Sequence, residues 1–218
     1  MKNPPTTEPE LAGGWSISRV RLALDCADKV SLTTFLAKRY EERFFEPIQR
    51  LRLSPGHYHG YGFAIMALCS LLVESLQCYR DGLPTTHDGE YRGLASFSPP
   101  AEYDVPAAER KNGLEAFKRF FAVPQNRNLF PDVDGEVFYR AIRNGILHQA
   151  QTKNGWRIRT GQAKLWNSVE KVLDRDKFAD ATASAFKKYI EELEAADWND
   201  QIWTKARRKI WWLIQLSS

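Results

Sequence analysis

The stretch Glu136–Ala150, EVFYRAIRNGILHQA, decides how the fold of this 218-residue chain is interpreted. Its apolar residues recur at helical spacing, which predicts a buried helix from about Gly135 to Gln151. Within the six residues 143–148, three polar side chains lie among apolar neighbours: Arg143, Asn144 and His148. Because apolar residues are the usual occupants of buried positions, these three indicate a task beyond packing.

The three polar residues are of the types that phosphoryl transfer uses. On an ideal helix, at about 100° per residue, they fall within an arc of roughly 140°. The planar guanidinium of Arg143 can bind two phosphate oxygens, and the imidazole of His148 can move a proton near neutral pH. Asn144 can orient the imidazole or a ribose. RNA supplies its own nucleophile, the 2′-hydroxyl, so this chemistry requires no metal-activated water.

Basic residues surround these three positions. Arg140, Lys153, Arg157 and Arg159 lie nearby, and only Glu136 opposes them locally. Such a group predicts either a solvated basic face or a phosphate-binding surface. We take Arg140 and Lys153 as candidate substrate-binding residues.

A second candidate lies on the helix predicted over residues 60–80. Ser70, Glu74 and Gln77 line up on one face, and such a polar stripe ordinarily faces solvent. Since the rest of this helix is very apolar, the alternative is that Glu74 faces a polar site, and we include it among the candidate substrate-binding residues.

Gly145 lies inside the predicted motif helix, where glycine costs roughly 1 kcal/mol relative to alanine. This cost is understandable if another backbone must come close. Examples of such a backbone are a packed helix and a second copy of the chain.

The remainder of the chain predicts further helices, a long loop and one small sheet. Residues 1–14, rich in Pro, Thr and Gly, predict a disordered tail, which leaves 15–218 as a single helical domain. We expect Pro47 to end the first predicted helix. Apolar spacing predicts helices at 31–46, 60–80, 113–122, 176–196 and 199–216, frequent Gly and Pro predict a loop at 81–112, and period-two alternation predicts a β-hairpin near 156–166.

The composition is that of a soluble globular protein, with 43% hydrophobic and 27% charged residues. No apolar run approaches the length of a membrane span and no secretory signal is present, so we expect a cytoplasmic protein. Docking of 199–216 on the chain's own core or on a partner chain is expected, with a membrane anchor as the alternative. No Cys/His cluster has zinc-ligand spacing, and His57 and His59 predict a turn, so we expect neither a metal site nor another cofactor.

Residues 137–151 resemble the final conserved bundle helix of the HEPN superfamily, which is recognised by an arginine, a following polar residue and a histidine at this spacing. The match covers about fifteen residues, and the rest of the chain supports it by helix content and order. The resemblance implies an all-α helical bundle that dimerises and unites two motifs in one composite site. It also implies a metal-independent endoribonuclease in which Arg143 and His148 are catalytic and Asn144 assists.

The resemblance carries further expectations about partners. Active HEPN proteins cut RNA in toxin–antitoxin, abortive-infection and CRISPR-associated defence systems, which implies an RNA substrate, a homodimer and an antitoxin or other protein partner. Other members keep the fold without cleavage, so the alternative is a non-catalytic module that binds nucleotide, RNA or a protein. The 81–112 loop, the 156–166 hairpin and two helices after the motif depart from a minimal bundle and would shape substrate choice, bury the site or hold a partner.

Overall fold

The computed structural model describes residues 8–54, 61–86, 94 and 97–217, and these are mostly helical, which confirms the predicted all-α class. Two π-helical segments, Glu41–Phe45 and Phe138–Arg143, each lie between two α-helical segments of the chain. The chain runs through β1 (Glu10–Ala12), β2 (Trp15–Ser16), α1 (Ile17–Asp25), α2 (Lys29–Tyr40), α3 (Glu46–Leu53), α4 (Tyr61–Asp81), α5 (Gly113–Ala122), α6 (Pro124–Arg127), α7 (Gly135–Val137), α8 (Asn144–Gln149), β3 (Arg157–Arg159), β4 (Trp166–Asn167), β5 (Val172–Asp174), α9 (Arg175–Ala195) and α10 (Gln201–Gln215).

Helix α4 lies at the centre of the bundle because most of its circumference is apolar. It packs against α3, α5, α9 and α10, and against the motif helix, the name used here for the continuous segments at residues 135–149. By length and composition α4 could cross a membrane, contrary to the expectation from sequence, but 56% of its most apolar window is buried inside the protein. More than half of this window is therefore covered by the rest of the bundle. Burial also raises the pKa of the Cys69 thiol to about 12, as expected for a cysteine that serves as a small hydrophobe.

Aromatic stacking anchors the first half of the motif helix. Phe138 is fully buried and stacks on Phe178 of α9, with ring centroids 4.9 Å apart. Phe117 of α5 also stacks on the Phe138 ring, with ring centroids 5.6 Å apart. Each such pair contributes about 0.5–1.5 kcal/mol beyond the burial of its area. One side of the motif helix is therefore held firmly, and its other side is left for the polar residues.

The ordered N-terminus begins earlier than the predicted boundary at residue 14. β1 and β2 pair antiparallel, and Leu11 and Ala12 are buried. Arg43 of the first π-helical segment donates to the Leu11 carbonyl oxygen at 3.2 Å, and Arg39 donates to the same oxygen. Two apolar residues inside a polar stretch are enough to dock the hairpin, so the predicted tail is wrong for residues 8–14.

Pro47 lies in the first turn of α3 and does not end the helical run. The π-helical segment Glu41–Phe45 comes directly before α3, so the run from α2 continues through the proline. The helix before it also starts earlier than predicted, because the carboxylate of Asp28 accepts the Ser31 N–H at 3.0 Å and so caps α2. Helix α1 was not predicted from the sequence.

Residues 157–174 form a three-stranded sheet where a hairpin was predicted. The strand order is β3-β5-β4, with β3 parallel and β4 antiparallel to β5, so the two predicted strands pair with a third strand and not with each other. All three residues of β5 are buried, so they show no alternation for a sequence pattern to detect. At its end Asp174 caps α9 by accepting the N–H groups of Asp176 at 3.0 Å and Lys177 at 2.9 Å.

Helix α10 docks on the protein's own core, as expected. Trp203 is fully buried and donates its indole N–H to the Leu193 carbonyl oxygen at 2.8 Å. Tyr103 of the long loop stacks on Trp211, with ring centroids 5.3 Å apart and planes 9° apart. The later part of the predicted 81–112 loop is thus tied to the last helix.

Candidate functional site

The motif helix changes its hydrogen-bonding pattern at the motif itself. The π-helical segment Phe138–Arg143 ends at the arginine, and α8 begins at Asn144. π-Helical turns inside α-helices occur frequently at functional sites. The helix ends at Gln149, two residues earlier than predicted, because Ala150 adopts a left-handed conformation with φ of +52°.

Arg143 is held by neighbours on two helices. Its Nη2 donates to Oε2 of Glu74 on α4 at 2.9 Å, and its Nη1 donates to Oδ1 of Asn144 at 3.0 Å. The guanidinium carbon lies 5.4 Å from the centroid of the Tyr139 ring. The side chain is 18% exposed, and its Nε is buried without a hydrogen-bond partner.

Glu74 lies against Arg143, and its side chain is 16% exposed. Its other carboxylate oxygen accepts the hydroxyl of Thr86. The polar stripe on α4 is mostly buried and does not face solvent, since Ser70 donates to the Met66 carbonyl oxygen at 2.7 Å and Gln77 is buried too. The structure therefore places Glu74 in the polar site, where its charge is suited to orient Arg143 and not to contact a phosphate.

His148 lies on α8, one turn after Asn144. It is exposed, and it makes no hydrogen bond or ion pair within the part of the chain that the structure describes. Asn144 is half-buried one turn before it, but the amide oxygen of Asn144 accepts from Arg143. The Cα atoms of Arg143 and His148 are about 9 Å apart on helical geometry. The structure thus joins Arg143 to Asn144 and leaves His148 open to solvent.

Gly145 has a reason within the chain itself. A Cβ at this position would lie 2.5 Å from the carbonyl oxygen of Gln151 and 3.1 Å from Cα of Thr152. The chain turns back along the helix here, and the N–H of Lys153 donates to the Ala141 carbonyl oxygen at 2.9 Å. A backbone does come close, as predicted, but it is the returning loop at residues 150–153, so Gly145 is no argument for a dimer.

The two basic candidates differ in their surroundings. Arg140 is exposed, and its Nε lies 2.9 Å from the carboxylate of Glu136, which also binds Lys118 at 2.9 Å. The hydrogen bonds from Lys118 and then Arg140 hold the pKa of the Glu136 carboxyl below its usual range. Arg140 thus belongs to a surface ion-pair network. Lys153 is half-buried beside Gly145, and its ammonium has no partner among the residues described.

Comparison with known proteins gives no relative: no protein-family model, no curated protein and no solved structure matches the chain. The resemblance to HEPN proteins accordingly rests on residues 137–151 and on the helical fold. The turn predicted at His57 and His59 lies outside the described residues.

Proposed function

We propose that this chain is a metal-independent endoribonuclease of HEPN type that cleaves RNA by attack of a 2′-hydroxyl on the adjacent phosphate. The observation that carries the proposal is the placement of Arg143, Asn144 and His148 on one arc of a helix whose opposite side is buried, with His148 exposed and Arg143 18% exposed. A solvent-facing imidazole within two turns of a clamped guanidinium is a suitable pairing for a phosphodiester.

Arg143 binds the scissile phosphate in this proposal. Glu74 and Asn144 each take one N–H of its terminal nitrogens, which leaves one N–H on each nitrogen for phosphate oxygens. Charge-assisted bonds of this kind are short and strong, and they favour the transition state if they tighten as charge develops on the phosphate. Glu74 acts as a positioning residue, because its carboxylate holds the guanidinium in one orientation.

His148 transfers protons in this proposal. A base removes the proton of the 2′-hydroxyl, the oxygen attacks phosphorus, and the bond from phosphorus to the 5′ oxygen breaks as that oxygen takes a proton from an acid. The products are a 2′,3′-cyclic phosphate and a 5′-hydroxyl. Nucleophile and leaving group lie on opposite sides of phosphorus, so one imidazole cannot serve both at once. A homodimer solves this problem by bringing a second His148 to the same phosphate.

The biological setting proposed here follows from the resemblance alone. We infer a cytoplasmic toxin or phage-defence effector that needs no cofactor and is controlled by an antitoxin or other protein partner. Its substrate is RNA.

The first prediction tests cleavage at His148. The full-length protein, incubated with end-labelled RNA in EDTA, is expected to leave a 2′,3′-cyclic phosphate on the upstream fragment. His148→Ala should lower the rate roughly a hundred- to ten-thousand-fold, because proton transfer contributes that much. The variant should remain folded, since His148 is exposed and unpartnered in the described structure.

Gln149→Ala is the matched control for this experiment, because Gln149 is the next exposed residue on the same helix. It should cleave like the wild type. Equal cleavage by the wild type and His148→Ala, or no cleavage by the wild type, contradicts the proposed function.

A second candidate function has one observation in its favour. The ion pair with Glu74 neutralises Arg143, as expected if the arginine only joins α4 to the motif helix. The protein would then be a non-catalytic module that binds nucleotide, RNA or a partner protein. RNA binding by the wild type without any cleavage product would favour this candidate.

A further inference from the structure

Positive charge is concentrated in the segment that follows the motif helix. Residues 153–177 contain seven basic and three acidic side chains, an excess of four that equals the formal net charge of +4 for the whole chain. Of the seven, only Arg175 makes an ion pair within the described structure. Elsewhere, by contrast, many exposed basic side chains are paired with a carboxylate one helical turn away, as Arg50 is with Glu46.

Strand β3 presents two of these charges side by side. Its pattern alternates, with Arg157 and Arg159 exposed and Ile158 half-buried between them. Ile158 faces helix α4, because a Cβ added at Gly62 in the first turn of α4 would lie 3.3 Å from Cγ2 of Ile158. Successive side chains of a strand point to opposite faces, so both arginines point away from the core. The rise between their Cα atoms along the strand is about 6.6 Å.

The two guanidiniums are anchored without being neutralised. Arg157 donates to the Glu170 carbonyl oxygen at 3.1 Å, and Arg159 donates to the Ile158 carbonyl oxygen at 3.0 Å. Neither has a carboxylate within ion-pair distance among the described residues. β3 is also an edge strand of its sheet. The charges are therefore presented on a rigid element and remain available to an anion.

The strand is connected directly to the proposed catalytic arc. The returning loop lies against Gly145, which is about 60° around the helix from His148, and it carries Lys153. Arg157 is four positions after Lys153, so their Cα atoms are at most about 14 Å apart. The chain thus leads from the His148 side of the motif helix, through Lys153, to Arg157 and Arg159 on β3.

We propose that Lys153, Arg157 and Arg159 form a basic strand surface that binds the sugar-phosphate backbone of single-stranded RNA beside the bond to be cut. The inference deepens the proposed function and rests on it for the identity of the RNA as substrate. Regularly spaced guanidiniums on a strand suit the consecutive phosphates of an extended single strand. These contacts position the RNA without reading its sequence.

The test measures binding separately from cleavage. In a His148→Ala background, a fluorescein-labelled single-stranded RNA of twenty nucleotides is titrated by fluorescence anisotropy over a series of salt concentrations. Arg157→Gln/Arg159→Gln should weaken binding at low salt about tenfold or more, because it removes two charge-assisted contacts. The slope of log K against log salt should become shallower by about 1.4, since each phosphate contact on a single strand contributes about 0.7.

Arg50→Gln/Lys187→Gln is the matched control, because it removes the same charge from residues that are 78% and 80% exposed and paired within their helices. It should leave the slope unchanged. An equal loss in both double variants, an unchanged slope in Arg157→Gln/Arg159→Gln, or the absence of RNA binding overturns the inference. Displacement of the RNA by poly-glutamate of equal charge concentration also overturns it, since it would indicate an acidic protein partner.

The outcomes also separate this inference from the proposed function. If the wild type does not cleave RNA while the salt slope falls as expected, the proposed function fails and the basic strand surface stands. If the wild type cleaves RNA while the salt slope is unchanged in Arg157→Gln/Arg159→Gln, the proposed function stands and the basic strand surface fails.

Discussion

The environment of Arg143 changes what a substitution there would report. From the sequence alone, Arg143 lies off the buried face of its helix, so its removal should leave the fold intact. In the structure its guanidinium is mostly buried and is paired with a carboxylate 69 positions earlier in the chain. A pair of that sequence separation leaves no local pattern, so the sequence could indicate Glu74 only by its place on an apolar helix.

The second prediction concerns this ion pair. Arg143→Ala should lower the free energy of unfolding by about 3 kcal/mol, because it leaves the Glu74 carboxylate buried and unpaired apart from Thr86. Adding Glu74→Leu should recover part of the loss, giving a coupling energy of about 0.5–3 kcal/mol in a double-mutant cycle. Urea denaturation of the wild type, the two single variants and the double variant measures this coupling energy.

Arg140→Ala is the control for the ion-pair prediction, because Arg140 forms an exposed pair, which is worth about 0–1 kcal/mol. Additive effects of the Arg143 and Glu74 substitutions would mean that the contact contributes nothing to stability. Loss of activity in Arg143→Ala should therefore be interpreted only after its stability has been compared with that of the wild type.

Among the elements, those with a long one-sided apolar pattern were predictable and those held by contacts distant in sequence were not. α5 begins and ends where its sequence predicts, between a cap at Asn112 and Pro124. β5 was missed because a three-residue strand that is buried throughout has no period. The same limit applied to Gly145: its sequence indicated a close backbone, but only the fold shows that this backbone is the returning loop.

The third prediction concerns the returning loop. Gly145→Ala places a methyl group 2.5 Å from the Gln151 carbonyl oxygen, which is backbone and cannot rotate away. We expect a loss of about 1–3 kcal/mol of stability from this overpacking. In a chain of this length each kcal/mol corresponds to about 2–4 °C in Tm, which a thermal unfolding curve resolves.

A second substitution at the same helix end is expected to raise stability. Ala150 has a φ of +52°, which disfavours residues with a side chain, so Ala150→Gly should raise Tm. If Gly145→Ala left Tm unchanged but dissociated a dimer, the glycine would serve a second copy of the chain and the intrachain explanation would be wrong.

For the whole molecule, the sequence was sufficient for the all-α class because composition and helical spacing determine it. It was not sufficient for the arrangement around α4, which depends on which faces meet. That arrangement matters for the site, because α4 supplies Glu74 and packs against the motif helix that carries Arg143. The sequence thus predicted which residues are candidates and that they lie on helices. Their mutual contacts follow only from the central position of α4.

The fourth prediction concerns assembly. If two motifs share one phosphate, the arc between Arg143 and His148 must be covered by the second copy. Leu147 lies on that arc, about 40° from Arg143, and its 38% exposure is high for a large apolar side chain. Wild-type protein at tens of micromolar should sediment as a dimer, and Leu147→Glu should sediment as a monomer with a wild-type circular dichroism spectrum and no RNA cleavage.

Val169→Glu is the control for the assembly prediction, because Val169 is 91% exposed on the loop between β4 and β5. It should leave dimerisation and RNA cleavage unchanged. A monomeric wild type that cleaves RNA, or a monomeric Leu147→Glu that keeps full activity, would show that a single copy completes the site and that both proton transfers belong to groups of one chain.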